Sequence, residues 1–188
     1  MSIVSVKICC VANRLLNLWL GNNISRARTE EESLDSSQQA RDAKWMRCAL
    51  ECARQAYLVE EIPIGAVLVR NERIVGKGFN QSIRAQDPTA HAEIMAIRSA
   101  AKKTRNHRLP ETTLYVTVEP CMMCLGAIIH ARIARLVFGA PEPKAGAIQS
   151  HPLANQDFLN HQIDWSYGIL ESECSGLMRD FFLSKRKL

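Results

Sequence analysis

The sequence predicts an α/β fold: a three-layer α/β/α sandwich built on a mixed five-stranded sheet. Three observations carry that prediction. Two β-rich runs, 64–69 and 74–79, flank the polar residues Arg70 to Arg73, which is the pattern of a hairpin and so of an antiparallel pair. Beyond the hairpin, helical and strand patterns alternate, as in a sheet covered by helices on both faces. About twenty residues separate the fourth strand from the fifth. That is long enough for a crossover between parallel strands, where a tight turn would force an antiparallel pair.

The elements follow in order. Residues 1–39 read as a disordered or leader-like extension and 40–188 as the folded domain. No acidic residue precedes Glu30, while Lys7, Arg14, Arg26 and Arg28 do, so 1–28 has the composition either of an organellar transit peptide or of a poorly ordered extension. Its opening apolar stretch is broken by Lys7 and Arg14, and no segment of the chain is long and apolar enough to span a membrane. "TEEESLDSSQQ", Thr29 to Gln39, reads as a polar linker. From Ala40, Trp45, Met46, Ala49, Leu50, Ala53, Ala56 and Tyr57 recur at helical spacing, with Cys48 and Cys52 on or beside the stripe as buried thiols. After the hairpin, 80–86 is a loop. "DPTAHAEIMAIRSAAKK", Asp87 to Lys103, is a helix, with Asp87 as its cap and Pro88 in its first position. "TTLYVTVEP" is the third strand. "CMMCLGAIIHAR" is a short helix with Pro120 suited to its start, and "ARLVFGA" is the fourth strand. "HPLANQDFLN" is a plausible short helix, "HQIDWSYGIL" holds a weaker fifth strand, and "ESECSGLMRDFFLSKRKL" is an amphipathic helix with a basic end.

The formal net charge of +5 permits a polyanionic partner without requiring one. Seven cysteines in no regular framework fit a reducing compartment, and hence a cytoplasmic location. Cys121 and Cys124 form a C-x-x-C pair set aside for a metal or a redox role.

Three side chains can share one metal: His91, Cys121 and Cys124. The cysteines are i, i+3, so their sulfurs share one helix face, and a helix N-terminus favours the thiolate. One imidazole with two thiolates is a zinc set that leaves a fourth position for water. Two thiolates offset the zinc charge, so a nearby base helps to ionise that water, and Glu93 is placed to be it. The small neighbours, Ala92 among them, leave room for a flat substrate. One difficulty stands: residues i and i+2 lie about 200° apart on a regular helix, so His91 and Glu93 can serve one site only if it lies over the helix end. A C-x-x-C alone is equally a redox pair, and H-x-E alone is weaker still.

Taken together, "HAE" and "PCMMC" resemble the signature of zinc nucleobase deaminases. From about Lys44 to Lys187 the chain resembles the cytidine-deaminase-like superfamily, and within it the bacterial tRNA-specific adenosine deaminases. The likeness runs through "EIPIGAVLV", "GKGFN", "DPTAHAEIMAIR", "LYVTVEPCMMCLGAIIHARI" and "LVFGAPEPKAGAIQS". The resemblance implies a cytidine-deaminase-like fold and one zinc ion per subunit. It implies a homodimer that converts adenosine to inosine at the wobble position of a tRNA anticodon stem-loop, with Glu93 as the proton shuttle. It also implies that Asn80 contacts the purine, that Ile64 lines the base pocket, that His130 and Arg132 form part of the substrate-side surface, and that the basic tail approaches RNA. Two positions depart from the family: Glu142 stands between prolines where an aspartate is common, and Ala131 replaces a serine. A deaminase of free guanine or cytosine shares the metal and the glutamate. A non-catalytic RNA-binding partner subunit would typically lack the glutamate.

Overall fold

The computed structural model describes residues 36–186. The expected extension 1–28, most of the linker and Lys187 lie outside them. The chain divides into the units Met1–Ala40 and Arg41–Leu188, and the second holds the sheet. Residues 36–58 are helical (α1). The order continues β1 (Gly65–Arg70), β2 (Arg73–Phe79), α2 (Ser82–Ala85), α3 (Ala92–Thr104), β3 (Thr113–Val118), α4 (Met122–His130), β4 (Arg135–Ala140), β5 (Asp164–Tyr167) and α5 (Glu171–Lys185).

The strands form one sheet in the order β2-β1-β3-β4-β5. The β1–β2 and β1–β3 pairs are antiparallel, and β3–β4 and β4–β5 are parallel. The sheet is therefore mixed, and the long connection from β4 to β5 makes the parallel crossover that its length allows. The hairpin closes through Asn71 and Glu72, both at positive φ (49° and 55°), the backbone that matches strand twist in a two-residue turn.

Strand alternation sends apolar side chains to both faces. On one face Ala66, Leu68, Leu114, Val116, Leu136 and Phe138 pack against α3 (Ala92, Ala96, Ala100) and α4 (Leu125, Ile128, Ile129). On the other, Val67, Val69, Tyr115 and Val137 meet Met46, Ala49 and Leu50 of α1 and Cys174 of α5. Each large aliphatic side chain so buried contributes about 1.5–3 kcal/mol relative to exposure. The second face also carries a buried ionic clasp. Asp42 of α1 accepts from Tyr115 Oη (2.8 Å) and from both terminal nitrogens of Arg135 (2.8 and 2.7 Å), and Arg135 reaches on to Ser166 Oγ at 2.9 Å. One carboxylate thus ties α1 to two strands, and Arg135 extends the clasp to a third.

Helix α3 sits unusually close to the sheet. A Cβ on Gly78 of β2 would fall 2.3 Å from the Ala92 carbonyl oxygen, so only glycine fits beneath the helix's first turn. This assigns Ala92 differently from its sequence reading. Its side chain is fully buried in the core cluster and leaves no space for substrate.

Three local expectations are corrected. Helix α3 starts at Ala92, not at Pro88. Asp87 instead closes a turn by accepting from the Thr89 N–H (2.8 Å) and Thr89 Oγ1 (2.7 Å). Residues 151–160 form no helix: Asn155 exchanges two hydrogen bonds with the Ile163 backbone (2.9 and 2.8 Å), so side-chain bonding replaces helical bonding there. The 80–86 loop contains the short helix α2, whose Ile83 and Arg84 N–H groups are capped by the buried Glu61 carboxylate (3.3 and 2.7 Å).

Candidate active site

Two helix N-termini meet at the end of the sheet. His91 is the N-cap of α3 and Cys121 the N-cap of α4. Both have extended backbones, with φ and ψ of −74° and 156° for His91 and −75° and 173° for Cys121. That resolves the i, i+2 difficulty. His91 is not in the helix, so the 200° rule does not apply to it, and its ring and the Glu93 side chain can both reach the same end. Pro120 precedes the N-cap of α4 and does not open the helix.

His91 Nδ1 lies 3.7 Å from Cys121 Sγ and 3.6 Å from Cys124 Sγ. All three ligand atoms lie within 4.8 Å of one another, and among the described residues no fourth His, Cys, Asp or Glu joins the group. The donor set fits zinc. With bonds of about 2.0–2.1 Å to nitrogen and 2.3 Å to sulfur at the tetrahedral angle, the two atoms sit about 3.6 Å apart. Three protein ligands leave one position open, as in catalytic rather than structural sites.

The local electrostatics favour the metal-binding thiolate at Cys121, and the proton is shared out onto Cys124 and His91. Hydrogen bonds from the Cys124 thiol and the His91 ring hold the Cys121 thiol down at about 4. Cys124, donating to Cys121 and buried, is pushed upward. The hydrogen bond to Cys121 raises His91. Glu93 is 4% exposed, and burial pushes its carboxyl up to about 7, within hydrogen-bonding reach of Cys124.

His91, Glu93 and Cys121 line one cleft of about 210 Å³ with Ile62, Ile64, Val118, Glu119, Glu142, Ala145, and Met178 and Phe182 of α5. Ile64 and Glu142 therefore line the same cleft as His91 and Glu93. Asn80 is buried behind it, and its Oδ1 accepts from the Ala92 N–H at 2.9 Å, steadying the start of α3. His130 and Arg132 are not brought to the cleft. They lie at the far end of α4, about 13 Å along its axis from Cys121. There the Arg132 guanidinium bonds the Asn160 side chain at 3.0 Å and its backbone carbonyl. Ala131 is buried beside them.

Sequence reading missed Glu119. Its carboxylate accepts from the N–H groups of Glu142 (2.9 Å), Ile148 (3.0 Å), Gln149 (2.7 Å) and Ser150 (2.9 Å) and from Ser150 Oγ (2.5 Å). Burial pushes Glu119 up, but these donors, the Ser150 hydroxyl first among them, outweigh it and hold the carboxyl below the usual range. The loop folds so tightly around it that a Cβ on Gly146 would sit 2.3 Å from the carboxylate. The signal in the sequence is an acid just past the end of an apolar strand, separated from the cysteine pair by Pro120 alone.

Comparison with known proteins agrees with this geometry. Residues 39–140 match the cytidine and deoxycytidylate deaminase zinc-binding region. The chain is 51% identical over 150 residues to the tRNA-specific adenosine deaminase of Buchnera aphidicola subsp. Baizongia pistaciae, covering 78% of this chain and 91% of that protein. It is 52% identical over 148 residues to that of Haemophilus influenzae, covering 78% and 86%. A solved structure from studies of A-to-I editing by tRNA:A34 deaminases at the wobble position of transfer RNA superimposes with a TM-score of 0.69 at 44% identity, covering 71% of this chain and 98% of that one. The chain therefore belongs to the zinc-binding deaminases of the cytidine and deoxycytidylate type, and within them to the tRNA-specific adenosine deaminase family.

Proposed function

We propose that this chain hydrolyses adenosine to inosine at the wobble position of a tRNA anticodon, releasing ammonia. The observation that carries the reading is the convergence of His91, Cys121 and Cys124 on one point beside a buried carboxylate, at the floor of a cleft with apolar walls. His91 Nδ1 and the two sulfurs would hold one zinc ion, which when bound lowers the pKa of a water enough to make it a nucleophile at neutral pH. The chain's residues handle the rest. Glu93 sits where water is scarce, and burial raises its carboxyl above the ordinary carboxylate range. It can take a proton from the attacking water and pass it to purine N1, then take the second proton from the newly added hydroxyl and deliver it to the departing amine at C6, which leaves as ammonia. Ile64 and Val118 give the cleft an apolar wall against which a flat ring can pack, and the Glu119-held loop carries Glu142 on the cleft wall. A base must leave its stack to enter, which suits an unpaired anticodon loop.

The chain acts as a homodimer in this reading. Helix α4 is strongly apolar, yet Met122 is 67% and Met123 36% exposed on its outer side, a surface that a second copy would cover. The five described cysteines are all free thiols, in keeping with a reducing, cytoplasmic location. Among the described residues no helix is long and apolar enough to cross a membrane.

The test compares wild type and Glu93→Ala on whole tRNA, on an anticodon stem-loop and on free guanine and cytosine, with inosine read by sequencing. Conversion of both RNAs by wild type alone is expected. Turnover of free bases without RNA conversion would favour the free-base deaminase. Conversion that survives Glu93→Ala would remove the proton role. A protein that binds RNA yet converts nothing would be a partner subunit.

A further inference from the structure

The sheet's β2 edge opens into a second cleft of about 320 Å³, bounded by α1 on one side and α3 on the other. Lys77 enters it from β2, Arg98 and Lys102 from α3, and Gln55 and Gln81 add amides at the rim. Arg98 and Lys102 are one helical turn apart on the same side of α3, so their charges reinforce each other. Among the described residues no aspartate or glutamate lines the cleft. Asp87 approaches Arg98 at 3.6 Å, but among the described residues neither Lys77 nor Lys102 has an ion-pair partner. A lysine on an edge strand guards against sheet-to-sheet pairing, which would explain Lys77 alone. It does not explain two further cations aimed at the same space from a helix.

The position relative to the active site is what gives this cleft meaning. Helix α3 begins beside Glu93 and carries the cations away from it. At 1.5 Å per residue, Arg98 lies about 8 Å and Lys102 about 14 Å farther along the axis. Gln81, at the rim, follows Asn80 directly. We propose that this cleft binds phosphates of the RNA backbone flanking the deaminated base, so that Lys77, Arg98 and Lys102 hold the strand whose unstacked nucleotide enters the neighbouring active site. The inference rests on the reading of this chain as an RNA deaminase. It adds a binding surface outside the deaminating cleft and assigns its ligand chemistry, a nucleic-acid strand rather than an acidic peptide, because three cations and two amides that can hold phosphates share the groove with the apolar Phe79 and Met95, against which a base can pack.

The experiment uses the full zinc-loaded chain and a labelled anticodon stem-loop, with binding measured directly as a function of salt and turnover measured in parallel. Lys77→Gln with Lys102→Gln is the test pair, Lys77→Glu with Lys102→Glu the stronger one. Arg47→Gln with Arg108→Gln, both exposed and lining neither cleft, removes the same charge. In the test pair the slope of log affinity against log salt is expected to become shallower by about 1.4, at about 0.7 for each single-strand phosphate that is no longer neutralised. The KM for RNA should rise about tenfold with kcat at saturation unchanged, and the charge-reversed pair should bind more weakly still. Test and control pairs that behave alike in both slope and KM would overturn the proposal. So would loss of binding to a poly-glutamate peptide with RNA binding intact. Because binding is read independently of turnover, a wild type that grips the stem-loop but deaminates nothing would sink the functional reading and still let the salt slopes decide this one.

Discussion

Glu93 and Glu119 line the same cleft, each 4% exposed, and the protein drives them toward opposite protonation states. Burial dominates at Glu93 and lifts it to about 7. Five donors dominate at Glu119 and hold it below the ordinary carboxylate range. Equal solvent exposure therefore says little about a carboxyl's charge; how deeply it sits and how many N–H and O–H groups are aimed at it decide. The arrangement also divides the labour. The carboxyl left short of donors is free to exchange a proton, and the one saturated with donors serves as a fixed anion around which residues 142–150 fold.

The largest effect that follows is on turnover. Glu93→Gln keeps the shape and removes the exchangeable proton, so kcat should fall about 10²–10⁴-fold, the range for a positioned acid–base group. Zinc content by metal analysis and the melting temperature should hold. If Glu93→Gln also unfolded the protein, Glu93 would be structural and the contrast with Glu119 would disappear.

Glu119→Gln should do the reverse. An amide nitrogen turned toward N–H donors strands some of them in a buried place, at about 2–4 kcal/mol. Denaturant unfolding should show that deficit. Because the loop carries Glu142 and Ala145 on the cleft wall, the KM for RNA should rise more than kcat falls. A variant as stable as wild type would mean that the loop holds its shape without the anion.

The contrast also marks where a sequence stops speaking. The strands are legible because β-branched and aromatic runs are local, and the metal trio because H-x-E and C-x-x-C are short motifs. Glu119 is invisible in its role because its partners lie 23 to 31 residues downstream and are mostly backbone N–H groups, which every sequence has. The start of α3 reads too early because Asp87-Pro88 copies a helix opening, while the actual N-cap, His91, makes no capping bond with its side chain. Ala92 reads as substrate space because a small residue looks the same whether it faces a ligand or, as here, a sheet packed close through Gly78. Residues 151–160 read as helix from composition, and Asn155's bonds to Ile163 decide otherwise.

A pH titration of metal-free protein, prepared with a chelator, would sharpen the comparison further. Glu93 has a folded value raised above its unfolded 4.5, so the stability it contributes is complete below about 4.5 and is lost as pH rises through about 7. Glu119 has a lowered folded value, so its contribution is present above about 4.5 and is lost as pH falls through that lower value. Melting temperature followed from about pH 3 to about pH 8 should therefore be eroded from both sides. Glu93→Gln should flatten only the upper limb and Glu119→Gln only the lower. A single variant that flattened both would show the two carboxyls to be one coupled system.

The smallest effect belongs to Arg132. It sits at the opposite end of α4 from Cys121, at positive φ (59°), with its guanidinium spent on Asn160. Among the described residues nothing carries its charge to the cleft at the other end of the helix. Arg132→Ala should therefore shift kcat on an anticodon stem-loop by less than about twofold, and stability by about 1 kcal/mol or less, as for an exposed polar interaction. The same variant on whole tRNA is the informative arm. A KM that rises there and not on the stem-loop would place RNA beyond the anticodon against this end of α4. A kcat that fell on both would mean that a second copy carries Arg132 to its neighbour's cleft, where the balance of donors that separates Glu93 from Glu119 would have to be counted across two chains.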